Sequence, residues 1–173
     1  MPSEIQVPTG LTTDGLLGRR YLARFIDSIA IVVLFGVLVF VWGVVMTGRS
    51  PSSASLVRNL ALPLLLFLGW IAYGTLLESS KAQATIGKRL MGLRVYNAQG
   101  GRLALMHAAG RNLVKDGPFL LLGLIPGTQL LTLAWLAVHL VVMHRSPVYQ
   151  AIHDRAAHSW VAAPEQTIQL RIA

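Results

Sequence analysis

The sequence predicts an all-α membrane protein, a helical bundle of three to four membrane-embedded helices with a small cytoplasmic β-hairpin or sheet. Three observations lead there. Of the 173 residues, 54% are hydrophobic and only 13% are charged, about half the charged share of an ordinary soluble domain. The mean hydropathy is +0.58, and the apolar residues come in blocks too long for a small soluble core to hide. The basic residues lie mostly between and beside those blocks.

The first apolar block covers residues 21–46 and carries no charge across residues 29–45. Roughly 20 apolar residues span a bilayer, so this block predicts a transmembrane helix, with Trp42 placed for the interfacial belt. After a polar turn at residues 47–55 (TGRSPSSAS), a second block covers residues 56–77. It contains Pro63, which membrane helices tolerate when neighbours or water satisfy the freed carbonyl. The last block is interrupted at Pro126-Gly127 and reads in two ways. It forms one long kinked span, or an amphipathic helix over residues 103–124 dips into the bilayer and returns through residues 128–143. The first reading sends the C-terminus outside. The second keeps it in the cytoplasm, the side favoured by Arg145, Arg155 and the histidines of the tail.

Charge sets the orientation. Lys and Arg number 15 against 7 Asp and Glu, a balance that nucleic-acid binders share. Here the cations flank apolar helices, where they fix topology and meet anionic headgroups. The predicted partner is therefore the lipid bilayer with its anionic headgroups, not nucleic acid. Residues 79–116 hold Lys81, Lys88, Arg89, Arg94, Arg102, Arg111 and Lys115, and belong in the cytoplasm with the flank carrying Arg19, Arg20 and Arg24. Residues 1–17 read as a flexible cytoplasmic tail without a cleavable signal, residues 18–163 as one membrane domain, and residues 164–173 as a C-terminal tail. Within the linker, residues 90–96 (LMGLRVY), a turn at residues 97–101 (NAQGG) and residues 102–105 predict a hairpin, to which residues 159–163 (SWVAA) add a third strand.

Three clusters carry chemistry. In the first, residues 18–27 (GRRYLARFID), Arg20 and Asp27 are seven apart and share one helical face. Arg24 lies three residues before Asp27, within pairing reach. A carboxylate inside a membrane helix costs about 2.5–3.5 kcal/mol at the centre and less near the edge, so Asp27 predicts either a structural ion pair or an ion- or proton-binding group. The second cluster, residues 85–95 (TIGKRLMGLRV), lacks the glycine spacing and the Ser or Thr of a phosphate loop and reads as a basic juxtamembrane turn with Lys88 and Arg89. The third, residues 150–160 (QAIHDRAAHSW), places His153, Asp154, Arg155 and His158 together. Its five-residue histidine spacing does not suit a metal site on one helix face, and no G-x-S-x-G surrounds Ser159. His139 reads as a helix contact or a proton relay. Arg111 and Lys115, four apart on one face, read as an interfacial anchor. The chain has no cysteine, which removes disulfides, thiolate metal sites and cysteine nucleophiles. Neither a metal nor a cofactor is predicted, and no nucleophile–base pair predicts an enzyme.

These clusters, in this order around hydrophobic helices, resemble the RDD family of small bacterial membrane proteins, named for one arginine and two aspartates. RRYLARFID is similar to the first-helix motif and carries the arginine to Arg20, with Arg19 beside it, and the first aspartate to Asp27. TIGKRLMGLRV is similar to the family's T-P-G-K-R-x-x-G-x-x-V loop, with Ile86 where proline is usual. His153-Asp154-Arg155 matches the closing motif and carries the second aspartate to Asp154. The resemblance implies a multi-pass protein of the bacterial inner membrane with an Arg–Asp–Asp set, and it implies cation/proton transport only weakly. Two functions follow. One is a small cation/proton transporter or transporter subunit using intramembrane Asp27 paired with Arg20, which in so short a chain calls for a homo-oligomer or a partner membrane protein. The other is a non-catalytic membrane scaffold whose Arg–Asp–Asp set is structural and whose cytoplasmic face recruits a partner.

Overall fold

The computed structural model describes residues 7–46, 62–123 and 127–164. Helix α1 (Leu17–Met46) is uninterrupted for 30 residues, about 45 Å at 1.5 Å per residue. Among the described residues it alone is long and apolar enough to cross a membrane. Its outward side chains include Phe25, Val32, Val33 and Phe40, all exposed, a pattern suited to lipid and not to water. Helix α2 (Leu62–Glu78) is apolar but has only 17 residues. The part of the second apolar block at residues 56–61, and the turn before it, lie outside the described residues.

The last apolar block forms no single kinked span. It is divided between α4 (Leu105–Gly123), which accommodates Pro118, and α5 (Gln129–Arg145). Gly127 between them has φ +86°, a left-handed conformation that glycine adopts without a Cβ clash. Among the described residues two one-turn helices complete the helical part, α3 (Ile86–Leu90) and α6 (Ile152–Ala156).

The small sheet differs from the predicted one in its strands. It is antiparallel and three-stranded, in the order β1-β3-β2, with β1 at Leu11–Thr12, β2 at Arg94–Asn97 and β3 at Ser159–Pro164. Residues 102–105 do not return as a strand; Arg102 makes only an isolated bridge to Tyr96. The third strand comes from the segment expected to be a tail, where Leu11 pairs with Pro164 and Thr12 with Ala163. That pairing satisfies backbone polar groups that would otherwise need water. On one face Val95, Val161 and Ala163 pack with Leu16 just before α1, Ala23 of α1 and Ala108 of α4. On the other, Tyr96 and Trp160 cover Ala162. The sheet is thereby fastened to the ends of α1 and α4, and α6 is held between them.

Candidate functional site

Two close approaches set the frame. A Cβ on Gly87 would stand 2.1 Å from the Ala23 carbonyl oxygen, and one on Gly74 would stand 2.4 Å from Asn112 Oδ1. Neither position has room for a side chain, so α3 lies directly on α1, and α2 directly on α4. The first contact presents the amino end of α3 to Asp27, which is only 6% exposed. Its carboxylate accepts hydrogen bonds from Thr85 Oγ1 (2.6 Å), Gly87 N (2.8 Å) and Tyr73 Oη (2.8 Å). Asp27 thus caps a helix that begins 59 residues downstream, supplying the acceptor that a free helix N-terminus lacks.

The expected pairing of Asp27 with Arg20 is not formed, nor is one with Arg24. Uncharged donors occupy the Asp27 oxygens, and both arginines turn to other elements. Arg20 Nη2 donates to Asp154 Oδ2 at 2.5 Å, and its Nη1 donates to the Tyr149 carbonyl at 2.5 Å. Arg24 Nη2 donates to Asp116 Oδ1 at 2.5 Å, while its guanidinium lies 5.1 Å over the Trp70 ring. Helical spacing alone could not reveal either partner, since both stand on helices far along the chain.

Asp154 is the hub of the second half. It is fully buried, and its Oδ1 accepts from Arg111 Nε (3.1 Å) and Nη2 (2.5 Å). Oδ2 takes Arg20 and the backbone N–H of Ala151, 3.1 Å away. Burial by itself raises the pKa of this carboxyl, but Arg20 and Arg111 outweigh it and hold the group well below the usual carboxylate range. Arg111 is 1% exposed, so its expected role as an interfacial anchor is corrected. Its Nη1 donates to Glu78 Oε2 at 2.6 Å, which joins α2 to α6 through α4. Glu78 also accepts from Asn112 Nδ2 at 3.1 Å and pairs with Lys88.

The remaining motif residues divide. Lys88 belongs to the network, and burial pushes its ammonium down to about 8 against the pull of Glu78. Arg89 and Arg155 are exposed and lie outside it, as does Arg19, at intermediate exposure. His153 stacks on His139 with ring centroids 5.3 Å apart, and its Nε2 lies 3.5 Å from Asp154 Oδ1. Among the described residues no group of His, Asp and Glu is arranged to hold a metal ion. Sequence reasoning missed Tyr73, Glu78, Asn112 and the role of Asp116. Their only signal was polarity at positions flanking apolar helices.

Beside this network a cleft of about 430 Å³ opens between α1, α4 and α5. Arg20, Arg24 and Asp27 reach it from α1, Lys115 and Asp116 from α4, and His139 and Leu140 from α5.

Residues 15–158 match the RDD family, a span that holds every side chain of the network. The chain belongs to the RDD family. A relative, the uncharacterized protein YxaI of Bacillus subtilis (strain 168), is 36% identical over 104 residues, covering 53% of this chain and 69% of YxaI. No solved structure matches. Membership supports a membrane protein, in keeping with the apolar exterior of α1. In this RDD protein the arginine and second aspartate of the motif are joined directly, and the first aspartate is bound to the motif's own loop. Ile86, which stands where the RDD loop usually has proline, supplies an N–H that Tyr73 Oη accepts at 3.2 Å.

Proposed function

We propose that this protein is a non-catalytic scaffold of the bacterial inner membrane, and that its Arg–Asp–Asp set fastens membrane helices to a cytoplasmic sheet that recruits a partner. One observation carries this reading: all four oxygens of the two motif aspartates are already engaged by protein donors. A carboxylate that takes up and releases a cation needs an oxygen to offer it. Asp27 instead accepts from three uncharged donors, and Asp154 from two arginines and a backbone N–H, so neither keeps an oxygen for an ion.

The multi-pass topology is part of the same proposal. The chain crosses the membrane with α1 and α2, while α4 and α5 enter from the cytoplasmic side and return to it. Pairing of β1 with β3 supports this, because it joins the segment before α1 to the segment after α6. Arg94, Arg102 and Arg155 are exposed around that sheet, the charge bias of a cytoplasmic face.

A second reading, a small cation/proton transporter, draws on Asp27 lining the cleft. Its aspartate would have to release Thr85 and Gly87 to take up an ion. The two readings separate in nanodiscs on Asp27→Asn and Asp154→Asn. The scaffold reading expects both variants to unfold at lower temperature and to expose the Leu11–Thr12 and Ser159–Pro164 strands to protease. Wild-type stability in both variants overturns it.

A further inference from the structure

The cleft holds polar atoms that the network does not use. Trp135 Nε1, His139 Nε2 and His153 Nδ1 are buried without a hydrogen-bond partner, although buried polar groups ordinarily have one. All three residues line the cleft, and His139 and His153 are 9% and 8% exposed. Their chemistry is unequal. Indole N–H only donates. His139 Nδ1 lies 3.3 Å from the Trp135 carbonyl, and His153 Nε2 faces the Asp154 carboxylate. Both neighbours can only accept, so the protons of the neutral rings belong on those nitrogens. That leaves His139 Nε2 and His153 Nδ1 as bare acceptors.

Charge and shape narrow the occupant further. Arg24 and Lys115 share the single carboxylate of Asp116, and across the cleft and its network five Lys and Arg side chains face four carboxylates, which leaves one positive charge in excess. Arg24 keeps 44% of its side chain exposed, so it is free to contact a further anion. Below this charged end the walls are apolar, with Leu136, Leu140 and Met143 of α5, and Leu136 is exposed on the outside of the bundle. The site is therefore amphiphilic. It offers cations and an indole N–H to an anion, two imidazole acceptors to a group with N–H or O–H donors, and an apolar exit.

We propose that the cleft is a binding site for a membrane phospholipid whose headgroup carries hydrogen-bond donors beyond its phosphate. The phosphodiester meets Arg24, Lys115 and the Trp135 N–H. The terminal ammonium or hydroxyls donate to His139 and His153, and the acyl chains leave past Leu136. This assignment goes beyond the scaffold reading and does not depend on it.

The test uses the full chain, delipidated in detergent, with short-chain lipids and native mass spectrometry. Phosphatidylethanolamine and phosphatidylglycerol should bind about tenfold more tightly than phosphatidylcholine, whose headgroup has no donor, since leaving buried acceptors unpaired is costly. His139→Phe should keep the ring stack on His153 and erase most of that preference. Arg24→Gln should weaken all three lipids. Trp135→Phe, which removes one N–H, serves as the second variant should His139→Phe not fold, and should weaken every lipid severalfold. Equal binding of all three lipids would reduce the cleft to unspecific lipid contact and overturn the proposal, as would no binding. Free glycerol phosphate competing as well as the lipids would assign the cleft to soluble phosphoesters and overturn it equally.

Discussion

Arg20 and Asp154 stand 134 residues apart in sequence, yet the Arg20 guanidinium lies 2.5 Å from the Asp154 carboxylate. The pair ties the first turn of α1 to α6 and, through Arg111, to Glu78 at the end of α2. All four side chains are buried or nearly so, with Arg20 the most exposed at 9%. A buried ion pair gains little over a well-packed apolar pair, but removing one partner strands the other.

Arg20→Met should therefore cost about 3–5 kcal/mol of stability. Adding Asp154→Leu should recover only part of it, because Arg111 then loses a carboxylate. Unfolding in detergent micelles, followed by circular dichroism for the single and double variants, measures the coupling.

Gly87→Ala should be among the most damaging small substitutions in the chain. Its Cβ would meet the Ala23 backbone at 2.1 Å, so α3 must lift off α1 and withdraw its N–H from Asp27. The expected loss is at least about 2 kcal/mol, from overpacking and from a buried acceptor losing its donors. Glycine at Gly92, where no atom crowds a Cβ, is a matched comparison. There the cost of Gly92→Ala comes from its φ of +69° alone, about 1–2 kcal/mol.

Ile86→Pro, which restores the usual family residue, should be tolerated. Thr85 already has φ −64° and ψ 168°, the extended conformation required before proline, and Ile86 opens α3, where proline fits. The gain from a stiffer loop, about 0.4–1 kcal/mol, offsets the lost hydrogen bond from Ile86 N to Tyr73. A net change within about 1 kcal/mol in thermal unfolding is expected, and Tyr73→Phe should make the proline more favourable.

Acid should act through His153. Burial holds its ring well below the ordinary imidazole value, with Arg111, Lys115 and Arg20 adding to that and Asp154 opposing it; His139 stacks on the same ring. The folded chain thus refuses a proton that the unfolded chain accepts below about pH 6.5. Stability from this group is full above that pH and falls as pH drops toward the folded pKa, by up to about 1.4 kcal/mol per unit. His153→Gln should flatten the slope between pH 6.5 and 5.5 by up to one proton, as read from unfolding at each pH.

The parts legible in the sequence were those written in local patterns. The apolar run of α1, the break at Gly127 and the β-rich stretches at residues 90–96 and 159–163, which overlap β2 and β3, follow from hydropathy and turn chemistry. Partners across helices were less legible. Arg24 and Asp27 stand three apart, and spacing favours their pairing, yet Gly87 lets α3 approach so closely that Asp27 is saturated by neutral donors. Arg111 lies on a helix whose mixed sequence suggests a surface, and only the fold shows that Glu78 and Asp154 enclose it. Strand β1 was hidden because two residues between turns carry no periodicity.

In the scaffold proposed above, the Arg–Asp–Asp set is a clasp. Cation-driven proton movement in sealed proteoliposomes, comparing wild type with Asp27→Asn beside the thermal unfolding of both, tests it most directly. The clasp predicts no exchange with Na⁺, K⁺ or Li⁺ in wild type and a clear drop in the unfolding temperature of the variant. Exchange in wild type that disappears in an Asp27→Asn protein of undiminished stability would contradict it and place Asp27 in a transport pathway.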